Sequence, residues 1–144
     1  MKRKSLTLIS LLGLTFVWAG LVSASPVVTV RVDIPFAFSV NNQVLPAGSY
    51  EIVENDNTTL LTIRNGESRK STIFGVNAAQ ERRVPGTAKL TFTKYGDQYF
   101  LSQVWTRDAG KDVRKSRSER EAARQASKNL AMERAPEVVE ITGQ

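Results

Sequence analysis

The chain of 144 residues contains no histidine and no cysteine. That removes imidazole bases, Ser-His-Asp hydrolysis, thiolate nucleophiles and zinc–thiolate sites together. Carboxylates, lysine and tyrosine remain for proton transfer. Asp33, Glu51, Glu54 and Asp97 are the carboxylates to weigh for acid/base work of the glycoside-hydrolase kind. Nothing in their spacing brings two of them together, and they are expected to be surface charges. Glu54-Asn55-Asp56-Asn57 has oxygen ligands that suit calcium, but it lacks both the spaced Asp-x-Asp-x-Asp-Gly pattern and a distal bidentate glutamate. A polar turn is expected there. No catalytic residue, metal or cofactor is expected; a small carboxylate-dependent hydrolase is the third-ranked function.

The cations form a clearer pattern. Arg114, Lys115, Arg117, Arg120, Arg124 and Lys128 cluster near the C-terminus. Arg117, Arg120, Arg124 and Lys128 follow i, i+3 or i+4 steps, which make one stripe on a helix. Such a stripe could bind a polyanion, whether anionic lipid, lipopolysaccharide or nucleic acid. Glu119, Glu121 and Glu133 interleave with it, however, and the aromatic residues that accompany single-strand binding are missing. The plainer expectation is a solvated charged helix. Tyr95, Tyr99, Phe100 and Trp105 could form an aromatic platform on one hairpin. Tyr99 and Trp105 are expected on the core face, which leaves Tyr95 and Phe100 as surface contacts.

Residues 1–24 read as an export signal: Lys2, Arg3 and Lys4, then an apolar stretch from Leu6 to Val22, then small residues at Val22-Ser23-Ala24. The rival, a retained anchor, is at the short edge of spanning length and is diluted by Thr7, Ser10, Gly13, Thr15 and Gly20. A cleaved leader implies a periplasmic, envelope-associated or secreted protein, with no membrane span left after cleavage. Without cysteine there can be no disulfide and no acylated lipoprotein. Removing the leader lowers the net charge from +6 to +3; residues 25–106 are near neutral with 8 basic and 7 acidic side chains, while residues 107–136 carry 9 and 5. A polyanion-binding argument is therefore local to that segment.

The elements that must position these residues are mostly strands. Val28, Val30, Val32, Ile34, Phe36, Phe38 and Val40 alternate strictly, which is the period of a half-buried strand. Pro35 should divide this run into two segments meeting at a bend, where the chain rounds a barrel or passes between two sheets. Asn41-Asn42-Gln43 and Leu45-Pro46-Ala47-Gly48 read as turns, and Tyr50 and Ile52 share a face. Asn65-Gly66 predicts a two-residue hairpin with Arg64 opposite Glu67, and with Leu61 and Ile63 on the face of Thr72, Phe74 and Val76. Residues 79–87 read as a basic loop with Arg82 and Arg83. Gly96-Asp97 predicts a second tight hairpin that pairs Phe92 with Leu101 and Ala88 with Trp105, with Phe100 and Val104 pointing away from the core.

From about Ser116 the pattern becomes helical. Ser118 or Ser116 can serve as the cap, and the apolar stripe is thin, consisting of Ala122, Ala123, Ala126 and Leu130. Val138, Val139 and Ile141 could make a short last strand. The expected architecture is all-β: a small sandwich or partly open barrel of about six to eight strands with one charged C-terminal helix. Residues 25–108 would form the β domain and 109–144 the helical tail.

Three segments carry a resemblance: Ile34-Pro35-Phe36-Ala37-Phe38 leading to Leu45-Pro46-Ala47-Gly48-Ser49-Tyr50, then Tyr95-Gly96-Asp97-Gln98-Tyr99-Phe100-Leu101, then Val104-Trp105. Together they resemble a family of small exported bacterial proteins of unknown function. The resemblance covers roughly residues 30–124 and implies a compartment and a β-domain, with no catalytic residues to carry over. The leading expectation is a non-enzymatic envelope protein that binds a protein or ligand through a sheet edge or the Phe100/Val104 face. Polyanion binding through the basic helix is the alternative.

Overall fold

The computed structural model describes residues 28–54, 59–79, 86–107, 109–129 and 136–143. The alternating apolar run does divide at Pro35. It gives β1 (Val28–Ile34) and β2 (Phe38–Val40), and the two segments enter different sheets. β1 pairs antiparallel with β4 (Gly48–Glu54), then β5 (Leu60–Asn65) and β6 (Ser71–Ala78) extend this first sheet. β2 pairs with β3 (Gln43–Leu45) across Asn41 and Asn42, whose φ angles of 48° and 63° are those of a tight turn with both central residues left-handed.

The second sheet is built on the hairpin of β7 (Lys89–Tyr95) and β8 (Gln98–Trp105). β8 takes β2 in parallel at Tyr99 and Phe100, and takes β9 (Gly110–Val113) antiparallel at Gln103–Trp105. β10 (Glu137–Thr142) lies along the other edge of β7. β6 joins the layers: Ser71–Gly75 pairs with β5, whereas Val76–Ala78 pairs with β9. A strand that switches sheets is how a corner is made between two packed layers. β10 also comes alongside β1 without pairing with it, and beyond β10 the Gly143 amide donates to the Ala88 carbonyl just before β7. The result is an all-β, sandwich-like fold that is not closed into a barrel, with one helix, α1 (Arg117–Asn129). Ten strands occur among the described residues, because the segments at 38–40, 43–45 and 110–113 each form a short strand of their own.

The inward faces meet as the period of two requires. Val30, Val32, Tyr50, Ile52, Leu61, Ile63 and Phe74 of the first sheet close on Phe38, Leu90, Phe92, Leu101 and Val104 of the second. Phe38 packs edge-on against both Tyr50 and Phe92, joining the layers through aromatic contacts.

Two registers differ from expectation. The turn after Asn65 is longer than two residues: Asn65 Oδ1 accepts from the Glu67 and Ser68 amides, and Arg69 takes the left-handed φ of 55°. Arg64 therefore stands opposite Ser71 instead of Glu67. The register moves by an even number of residues, so Leu61 and Ile63 keep the face of Thr72 and Phe74. In the second hairpin, Tyr95 pairs with Gln98 and Phe92 with Leu101, as expected. A bulge between Thr91 and Phe92 then places Thr91 opposite Gln103 and Lys89 opposite Trp105. Beyond it every side chain changes face: Val104 enters the core cluster, and Trp105 lies on the outer face over Gly110.

Candidate functional site

The chain after residue 108 does not leave the body. β9 lies between β6 and β8, and β10 buries part of Val139 and Ile141 against the core. Between these strands α1 packs against β7. Ser116 is the N-cap. Its hydroxyl accepts from the Glu119 amide at 3.2 Å, and the Ser116 backbone N–H donates back to the Glu119 carboxylate. This is the reciprocal capping box, set two residues earlier than the Ser118–Glu121 spacing, at Ser116, the alternative cap. The next free amide, that of Ser118, donates to Asn42 Oδ1 at 3.0 Å, so the β2–β3 turn fastens the helix start to the body.

The helix has two opposite faces. Glu119, Ala122, Ala123 and Ala126 share one by 3.6-residue periodicity; the alanines are half-buried and Glu119 is 3% exposed. Arg117, Arg120, Arg124 and Lys128 share the other and are all exposed, as are Arg114 and Lys115 just before the helix. Arg117 pairs with Glu121 at 3.1 Å, Arg120 donates to the Lys115 carbonyl, and Arg114 donates to Asn77. Arg124 and Lys128 make no ion pair with another described residue. Glu119 thus leaves the charged face that its place in the sequence had assigned it to. Burial pushes its carboxyl above the ordinary value of 4.5, outweighing the opposing pull of Lys115, the Ser116 backbone hydrogen bond and Arg120.

The hairpin aromatics do not form an open platform. Phe100 does point away from the core, but it is 2% exposed and Tyr95 packs edge-on against it. Val104 is fully buried among core residues. The Phe100/Val104 face is therefore closed to any partner. Phe100 is a packing residue, and only the half-buried Tyr95 retains surface.

The candidate carboxylates are partly brought together. Asp33 and Glu51 stand on the same face of the β1–β4 pair, at neighbouring positions along it. They line a groove of about 300 Å³ with Arg31, Ser49 and Thr142. Glu51 has both oxygens occupied, by Arg31 at 3.1 Å and Arg64 at 3.0 Å, and Asp33 accepts the Ser49 hydroxyl. Neither resembles a general base aimed at an empty site. Glu54 pairs with Lys111, and Asp97 sits exposed in the hairpin turn. Residues 55–58, which include most of the calcium-like sequence, lie outside the described residues, as do Arg82, Arg83, Leu130 and the leader. Among the described residues no helix is long and apolar enough to cross a membrane.

No family model, no curated protein and no solved structure matches this chain. Sequence reasoning missed two residues of the site, Glu119 and Asn42. The first could have been found, since Ser116-x-x-Glu119 has capping-box spacing and Glu119 shares a helical face with Ala122 and Ala126. The second had no local signal, because the contact joins residues 42 and 118 across the fold.

Proposed function

We propose that the protein is an exported, non-enzymatic binding protein of the cell envelope, and that its partner is a phosphate-bearing lipid surface, either anionic lipid or lipopolysaccharide. One observation carries the choice. The docked face of α1 takes Glu119 with it, so the exposed segment 114–128 presents six cations and a single carboxylate, which is already paired with Arg117. A stripe of this kind binds by electrostatics, worth about 1 kcal/mol per cation near an anionic surface. The helix has no large apolar residue on its exposed face, which favours lying on headgroups over insertion. It also lacks the aromatics that would stack on nucleic-acid bases. Export rests on the Lys2–Ala24 leader reading.

The test is co-sedimentation with vesicles containing phosphatidylglycerol, with neutral phosphatidylcholine vesicles as control, at rising salt. Binding to the anionic vesicles alone, falling steeply with salt and lost in the Arg120→Gln/Arg124→Gln/Lys128→Gln variant, is expected. Binding indifferent to salt, or unchanged in that variant, would remove the proposal.

A second reading, a protein partner, rests on Val44 and Ile73, which are 74% and 54% exposed. Val44 lies on β3, at the end of the strand order. Capture of a partner that survives high salt and is lost on Val44→Asp would favour it.

A further inference from the structure

We infer that Glu119 is a proton-controlled latch: its protonation holds α1 on the body and its ionisation loosens the helix. Among the described residues only two buried side-chain polar atoms lack a hydrogen-bond partner, Glu119 Oε1 on the helix and Thr91 Oγ1 on β7. α1 packs on β7, and Thr91 points away from the core residues Leu90 and Phe92 that flank it. A buried polar atom left unpaired opposes the state that buries it, and an ionised carboxylate opposes it more strongly.

Little else holds the helix down. The apolar seam within the described residues is Ala122, Ala123 and Ala126, side chains that bury one methyl each. The N-terminal clamp of Ser116 and Asn42 fixes where the helix starts, while the seam beyond it is thin. Docking is therefore closely balanced, and the charge state of one buried group can shift it.

The charged groups that act on Glu119 are Lys115 and Arg120, both of which favour its ionised form. The β2–β3 turn contributes the neutral Asn41 and Asn42. On the outward face of β7, Lys89 is bound to Glu140 at 2.6 Å, and the rest are Thr91, Thr93 and Tyr95. Lys94 of the same strand is tied to Glu137. Burial outweighs the two cations, so the docked helix binds a proton more tightly than the free one. Docking then strengthens as pH falls through the raised midpoint and weakens as pH rises through it. With no histidine in the chain, no imidazole titration overlaps this window.

The experiment is hydrogen exchange on the full chain from about pH 4 to about pH 8, with protection of the Arg120–Lys128 amides corrected for the intrinsic rate at each pH. Protection should fall with rising pH, tenfold for each pH unit that separates the docked and undocked midpoints of Glu119. Glu119→Gln retains a capping-box residue and cannot ionise; it should stay protected across the range with a flat profile. Glu121→Gln, on the exposed face, should keep the wild-type slope. A flat wild-type profile, an unchanged slope in Glu119→Gln, or a slope lost in Glu121→Gln would each overturn the latch.

Discussion

At the scale of single residues, the outer face of the second sheet depends on a place where a side chain is missing. Trp105 lies over Gly110, its cross-strand partner, and a Cβ added at Gly110 would fall 2.3 Å from the indole Cζ3. The indole nitrogen donates to Gln103, which in turn donates to Asp112, so the ring cannot move without breaking a chain of hydrogen bonds. Gly110→Ala should therefore destabilise the protein by about 1–3 kcal/mol, the usual cost of overpacking, as read from the urea midpoint and accompanied by a change in tryptophan emission. Gly96→Ala is the contrasting case. Nothing lies within 4 Å of the added carbon, but φ is 59°. Its cost of about 1–2 kcal/mol should come from backbone strain alone and leave the emission unchanged. Because the folded protein holds the Glu119 carboxyl above its ordinary value, ionising it opposes folding, and stability contributed at this site should decline as pH rises above 4.5. At neutral pH, urea should abolish the helical signal of Glu119→Gln at a higher midpoint than that of wild type.

At the scale of elements, the helix is the part most easily removed. It is 13 residues long, near the length below which isolated helices do not persist, and it is held by its first turn. Ser116→Ala should cost about 1 kcal/mol. Asn42→Gly preserves the left-handed φ of 63° while deleting the Ser118 cap, so it tests the cap without backbone strain. Both should reduce helical circular dichroism at 222 nm while leaving the β-body's own unfolding transition nearly in place. If the strands melt with the helix, the helix is not separable from the β-body. The division of the fold was legible in sequence to the same degree that its signals were local. The alternation from Val28 to Val40, the break at Pro35, the Gly96-Asp97 turn and the helical grammar after Ser116 are each written within a few residues. The bulge opposite Thr91 is not, because an extra residue in a strand leaves no mark on composition. It moved Val104 into the core and Trp105 out of it, and with them the face that was to meet a partner. The candidate helix was legible as a cationic stripe, but which carboxylate it would hide depended on packing against β7.

At the scale of the whole molecule, the distribution of ion pairs decides where the surface field originates. Five of the six pairs among the described residues tie down cations of the body: Arg31 and Arg64 on Glu51, Lys89 on Glu140, Lys94 on Glu137 and Lys111 on Glu54. Two of these depend on β10, whose return along β7 sets its carboxylates beside the lysines of that strand. These partly buried pairs leave the sheets electrically quiet, whereas α1 presents Arg120, Arg124 and Lys128 with no ion pair to another described residue. Vesicle binding should therefore follow the helix residues and not total charge. Neutralising Arg120, Arg124 and Lys128 should lower affinity for anionic vesicles about a hundredfold at low salt, at about 1 kcal/mol for each cation. Neutralising Arg31, Arg64 and Lys89 removes the same formal charge and should have little effect. Deleting the tail is a poorer experiment than either, because residues 137–142 are a strand of the second sheet, with Val139 and Ile141 packed on its core. Equal losses from the two triple variants would mean that binding follows net charge over the long Debye length of low salt, about 30 Å at 0.01 M, and the helix would then have no special part in it.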